Sequence, residues 1–135
     1  MRHYDWVKRL YEAMDEAQVR GFDYGTANCA LFAAHCVDAI RPDSFIEDEL
    51  HTHFTDETTA RAWEAAAGGM YKLVTDRLGE PVGWVNAQRG DVCLVDLELG
   101  PTLGVCTGES IALLGPDGKI GHLRIDKAVA VWKVD

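Results

Sequence analysis

Long apolar runs, a secretory leader and an excess of basic charge are all missing from this sequence of 135 residues. The longest apolar runs are short, such as AVAVW at 128–132, whereas a helix that spans a bilayer needs ~20 apolar residues. The segment MRHYDWVKRLYEAMDEAQ at the start lacks the apolar core of a signal peptide. We therefore expect no membrane span and no export through the Sec pathway.

The charge balance of the chain is acidic. It has 13 Lys and Arg residues against 22 Asp and Glu residues, which gives a net charge of −9. Such a chain repels a phosphate backbone, and no cluster of basic residues interrupts the acidic balance. Nucleic acid is therefore not expected as a partner, while a basic protein surface is compatible with the charge.

Sequence patterns that hold metals and common cofactors are also missing. The four cysteines, Cys29, Cys36, Cys93 and Cys106, include no CxxC pair, and their spacing matches neither a zinc nor an iron–sulfur site. There is no GxxxxGK[ST] or GxGxxG loop, and HTHF at 51–54 is not the HExxH of a zinc protease. We predict no metal and no cofactor, and expect reduced cysteines that mostly act as small buried residues.

The first half of the chain has the 3.6-residue period of amphipathic helices. Trp6, Leu10 and Met14, for example, recur every four residues and form one apolar stripe. Side chains that cap helices and residues that end them set the other boundaries. The predicted helices cover about 4–19, a segment capped by Thr26 or Asn28 that runs to about Ile40, a segment through Trp63 to Ala67 that is capped near 55–56, and Met70–Leu78.

After residue 81 the apolar pattern changes to a period of two, which is typical of strands. The predicted strands cover 91–97, 102–108, 110–115, 119–125 and 128–134. Helices followed by strands predict an α+β fold, in which N-terminal helices pack on a C-terminal antiparallel sheet or small barrel of about five strands. We expect one domain over 1–135, with a helical part at about 4–80 and a β part at about 82–135.

Cys29 is the candidate for chemistry. It lies in the predicted first turn of the second helix, after a loop that contains glycine. The free N–H groups and the partial positive charge of a helix start favour a thiolate and lower the pKa of a cysteine. This is the placement that a nucleophilic cysteine needs, although a small buried residue at a helix start has the same pattern.

Three segments resemble the NlpC/P60 group of papain-like cysteine peptidases. FDYGTANCALFAAHCV at 22–37 resembles the segment that carries the nucleophile, QRGDVCLVD at 88–96 resembles the Gly-Asp turn before the first core strand, and TLGVCTG at 102–108 resembles the strand that carries the histidine. Through to a terminal Trp-Lys-Val, the chain is similar to a compact DUF6950-like family of phage and prophage proteins encoded among tail-assembly genes. This resemblance covers roughly 22–134, and it implies a papain-like fold of the NlpC/P60 type.

The resemblance assigns the nucleophile to Cys29, but the positions aligned with its catalytic partners hold residues that cannot fill those roles. A papain-like peptidase needs a thiolate, an imidazole base and a polar group that orients the imidazole. Thr102 stands at the position of the base, and apolar residues 112–114 stand where the third member is expected. His122 is the one histidine placed to substitute for the base, because a neighbouring strand could present it near Cys29.

The resemblance implies a structural or assembly protein of a phage or prophage tail tip, with a degenerate and inactive NlpC/P60-like fold. Its expected partners are hub, fibre or other tail-tip proteins, and its expected location is the virion, after assembly in the cytoplasm of the bacterial host. Two alternatives stay open. One is an active cysteine hydrolase that uses Cys29 on peptidoglycan peptides, and the other is a module that binds a cell-wall fragment or a protein without cleaving it.

Overall fold

The computed structural model describes residues 1–23, 28–98 and 100–135. Within these ranges the chain forms five α-helices followed by five β-strands, and 3₁₀ turns lie at Trp84–Asn86 and Ile125–Lys127. The helices are α1 (Trp6–Arg20), α2 (Cys29–Ile40), α3 (Ile46–His51), α4 (Glu57–Ala66) and α5 (Met70–Leu78). The strands are β1 (Val92–Leu97), β2 (Gly100–Cys106), β3 (Ser110–Leu114), β4 (Ile120–Arg124) and β5 (Ala130–Trp132). The predicted α+β order is confirmed.

Local capping explains where two of the helices begin. The Asn28 side chain accepts a hydrogen bond of 2.9 Å from the backbone N–H of Leu31 and so caps α2. Thr26, the other predicted cap, lies outside the described residues. Asp56 and Thr59 exchange side-chain and backbone hydrogen bonds in a capping box that begins α4, close to the predicted position.

The five strands form one antiparallel sheet in the order β4-β3-β2-β1-β5. In the part of the chain that the structure describes, β4 and β5 are therefore its two edges, and the sheet stays open instead of closing into a small barrel. β1 and β2 pair along their whole length, from Val92↔Val105 to Leu97↔Gly100. β2 and β3 pair only at Val105↔Ala112 and Cys106↔Ile111 and then separate.

The helices cover one face of the sheet, and α2 lies at the centre of the molecule. Phe32, Cys36 and Ile40 on α2 share the largest apolar cluster with residues of α1, α5 and four of the strands. The opposite side of α2 packs on α3 and on Phe54. Burial of α2 on both sides fits its Ala-rich sequence, and it fixes the position of the helix start that carries Cys29.

Candidate functional site

Cys29 is the first residue of α2, and the sheet lies directly beside its side chain. The backbone N–H of Leu103 on β2 acts on the thiol, as do the N–H groups of Ala30 and of Cys29 itself at the helix start. Leu103 is placed to do this because β2 and β3 have already separated at that point. The Cys29 thiol therefore lies where β2 and β3 separate.

Burial decides the protonation state of Cys29. Burial raises the pKa of the thiol, and the charge of Glu64 acts in the same direction, while the three backbone N–H groups lower it. The net result is a pKa above the ordinary value. The lowering expected from the helix start alone is thus outweighed, and Cys29 is a neutral thiol at pH 7.

A cleft of about 870 Å³ opens over Cys29, and we call it the Cys29 cleft. One wall is formed by the ends of β1 and β2, with Leu97 and Pro101, and another by the turn between β3 and β4. Trp63 and Met70 belong to the helical wall. A cleft of this size has room for a small ligand or a short stretch of peptide.

His122 borders the same cleft as Cys29. It is an exposed residue of β4 and pairs with Ala112 of β3. β4 is two strands away from β2, which is about 10 Å across a regular sheet. Among the groups that act on the Cys29 thiol in the described residues, none is a histidine. A role for His122 as a base stays a prediction.

Other histidines are engaged elsewhere. His35 Nδ1 lies 3.0 Å from Glu47 Oε1, and this hydrogen bond raises the pKa of His35. It ties α2 to α3 on the side away from the sheet. His53 stacks on Trp63 with a centroid distance of 4.7 Å. His35 therefore joins two helices by a hydrogen bond, and His53, in the turn after α3, packs on α4.

The two positions aligned with the missing catalytic partners have ordinary structural roles. Thr102 borders the cleft, and its hydroxyl donates to the backbone oxygen of Gly100 at 3.3 Å. Ala112, Leu113 and Leu114 are buried in β3. Neither position offers a group that takes up a proton near neutral pH.

Sequence reasoning missed Glu64, the polar group of the site that acts on Cys29. Glu64 lies on α4 and borders the Cys29 cleft. Burial raises the pKa of its carboxyl, and the nearby charge of Arg61 opposes this. As one of 22 acidic residues it carries no distinguishing signal; only the packing of α4 against the start of α2 places it there.

The described residues contain no group of three or more His, Cys, Asp or Glu side chains that could hold a metal ion. In the same ranges, no helix is long and apolar enough to cross a membrane.

Comparison with known proteins identifies one family. The family model described as "Domain of unknown function (DUF6950)" matches residues 1–134. No curated protein matches the chain, and no solved structure matches it. Because the match extends over nearly the whole sequence, the chain belongs to the DUF6950 family.

Proposed function

We propose that this protein is a structural or assembly component of a phage or prophage tail tip, and that its NlpC/P60-like domain has lost peptidase activity. The tail role follows from the resemblance of segments 22–37, 88–96 and 102–108, in that order, to DUF6950-like tail-assembly proteins. Membership of the DUF6950 family supports the part of the proposal that rests on this resemblance. Location in the virion and contacts with hub or fibre proteins belong to the same proposal.

The state of Cys29 carries the argument against hydrolysis. Attack on an amide requires a thiolate and a base that has taken its proton. Burial instead raises the pKa of the Cys29 thiol, and the Glu64 carboxylate beside it adds to this effect. Among the described residues, only backbone N–H groups and the charge of a carboxylate act on this half-buried neutral thiol, which supports a packing role for Cys29.

Genetic complementation tests both halves of the proposal. In the phage or prophage that encodes the chain, deletion of the gene is expected to give particles with incomplete tails. Wild-type protein and Cys29→Ser are expected to restore tails and infectivity equally, because the sulfur is not used for chemistry. Intact tails after deletion would overturn the tail role. Rescue by wild type but not by Cys29→Ser would favour the hydrolase instead.

Alkylation of each cysteine, followed by mass spectrometry of the peptides, tests the chemical half directly. Cys29 is expected to label slowly at pH 7 and to accelerate only above the ordinary thiol pKa of about 8.5. Cys36, whose pKa burial also raises, serves as the buried reference. Fast labelling of Cys29 alone below pH 7, together with release of muropeptides from cell walls, would contradict an inactive site.

An active cysteine hydrolase is the second candidate, and it is favoured by one observation: His122 borders the same cleft as Cys29. In this alternative the β3–β4 hairpin would move until the imidazole lies ~3–4 Å from the sulfur. His122→Ala would then abolish turnover. A binding module without turnover is the third candidate, and the volume of the Cys29 cleft supports it.

A further inference from the structure

The Glu64 carboxylate is the unusual polar group of the Cys29 cleft. It is half-buried in the helical wall and acts on the thiol of Cys29. Its carboxylate forms no hydrogen bond or ion pair within contact distance to the described residues; the charge of Arg61, whose Nε donates to Glu57 Oε1 at 2.9 Å, lowers its pKa only in part against the effect of burial. A carboxylate that is partly removed from water and lacks such a partner favours a cation brought by a ligand.

The other charges at the cleft agree with a cationic ligand. Besides Glu64, the lining includes the carboxylates of Glu98 and Asp117 and the cations of Arg61 and Lys119. The lining thus has one more negative than positive charge, in a chain whose net charge is −9. An anionic ligand would meet Glu64 in the helical wall of the cleft, whereas a cation would be attracted both by the whole chain and by the site.

The rest of the cleft lining indicates the chemistry of the uncharged part of the ligand. Around Glu64 the lining is mainly apolar and aromatic, and it includes Phe22, Phe54, Trp63, Met70 and Leu73. Surfaces of this kind bind alkyl or aryl groups by excluding water from them. An aliphatic chain that ends in a charged nitrogen matches both parts of the site.

We propose that the Cys29 cleft binds a primary ammonium group at the end of an apolar chain, with the ammonium paired to Glu64. The inference rests on the proposed function only in taking the cleft as a site that binds without cleaving. A lysine side chain of a partner protein and a free small amine share this chemistry, and the choice of probes separates them.

Titration with a matched pair of probes tests the proposal in the wild-type protein. Hexylamine and 1-hexanol have the same apolar chain, and only hexylamine carries the charge. Binding is followed by the NMR shifts of the backbone amides of Glu64 and Leu103. Hexylamine is expected to bind about tenfold more tightly, as a charge-assisted hydrogen bond in a partly buried site implies. Equal affinities, or no saturable shift with hexylamine, would overturn the proposal.

Two charge-matched variants locate the effect. Glu64→Gln is expected to remove the preference for hexylamine over 1-hexanol. Glu98→Gln removes the same charge from an exposed position at the same cleft, and it is expected to keep most of the preference. If both variants reduce the preference equally, general electrostatic attraction explains the preference for hexylamine, and the proposal of a site at Glu64 is wrong. The Glu64 side chain makes no hydrogen bond to the described residues, so Glu64→Gln is expected to fold.

Lysine with both backbone ends blocked identifies the source of the ammonium. If it binds at least as tightly as hexylamine, the ligand is a lysine of a partner protein. If only hexylamine binds, the ligand is a small amine. Either result supports an ammonium site. If the amine preference is absent and Cys29 is unreactive, the ammonium ligand is refuted and the proposed function stands. If the protein prefers amines but releases muropeptides from cell walls, the ammonium site stands and the proposed loss of peptidase activity is refuted.

Discussion

At the scale of single residues, Asp91 is a buried carboxylate that four hydrogen-bond donors hold in place. It is fully buried, at 0% exposure, at the start of β1. Its Oδ1 accepts from the Val134 N–H at 3.1 Å and from Arg2 at 3.3 Å, and its Oδ2 accepts from the Gln88 N–H at 2.8 Å and from Lys133 at 2.6 Å. The carboxylate therefore joins both ends of the described chain to the sheet.

Replacement of Asp91 by Asn is expected to destabilise the fold by about 3 kcal/mol. The shapes are the same, but Asn has only one acceptor oxygen. Whichever way the amide turns, its NH₂ group faces two donors, and the charges of Arg2 and Lys133 lose their partner. Urea unfolding checks the prediction, with an unchanged m-value as the sign that the native fold is retained.

Asp96→Asn is the matched control for that measurement. Asp96 lies on β1, the strand that Asp91 directly precedes, but its side chain is exposed, and the change is expected to stay within about 0.5 kcal/mol of wild type. If Asp91→Asn lowers the free energy of unfolding by less than about 1 kcal/mol, the buried carboxylate does not stabilise the fold as its contacts indicate.

At the scale of elements, the separation of β2 from β3 shapes the Cys29 cleft. Gly104 lies at the point of separation, directly before Val105 and Cys106, the residues of β2 that pair with β3. A Cβ atom there would lie 2.6 Å from the Ala112 backbone oxygen and 2.5 Å from the Leu113 side chain. A glycine is therefore required if the two strands are to stay this close before they part.

Gly104→Ala is expected to destabilise the protein by about 1–3 kcal/mol, because the backbone oxygen cannot move away without breaking strand pairing. Thermal unfolding measures the loss. Gly121→Ala is the control on β4, since a Cβ there meets nothing within 4 Å and the backbone needs no positive φ. It is expected to be neutral or stabilising by about 0.5 kcal/mol. Equal effects of the two substitutions would argue against the close approach.

Elements with local signals could be predicted from the sequence, and α3 could not. Met70–Leu78 is found where its apolar period and the following glycine indicate. The residue before α3, Phe45, offers no capping side chain. The cap comes from Asp38 on α2, whose carboxylate accepts from the N–H groups of Ile46 at 3.0 Å and Glu47 at 2.8 Å. A cap supplied by another helix leaves no pattern next to the helix that it begins.

The same distinction applies to the site. The sequence predicts that Cys29 follows a capping residue at a helix start, because both are local properties of segment 22–37. The pKa of its thiol depends on Leu103 and Glu64, which come from other elements and meet Cys29 only after packing. The resemblance likewise marks Gly90-Asp91 and the terminal Trp-Lys-Val as separate motifs, although the carboxylate of Asp91 contacts both Lys133 and Val134.

At the scale of the whole molecule, stability is spread unevenly around the Cys29 cleft. The floor belongs to α2, which has seven buried residues and packs on both sides. The wall that carries Trp63 and Glu64 belongs to α4, in which no residue is buried. Elements with little buried surface open at lower free energy than the core. The wall is therefore expected to open while the floor stays folded.

Native-state hydrogen exchange at low urea concentrations checks this expectation. Amides of α2 should exchange only through global unfolding, so their exchange should accelerate steeply with urea. Amides of α4 should exchange faster and respond weakly to urea, because a local opening exposes little new surface. α5 is a reference of similar length whose residues Met70, Leu73 and Val74 are buried, and it should follow α2. If α4 instead follows α2 and α5 at every concentration, the cleft is a rigid part of the core, and its ligand must fit a preformed site without displacing the helix that carries Glu64.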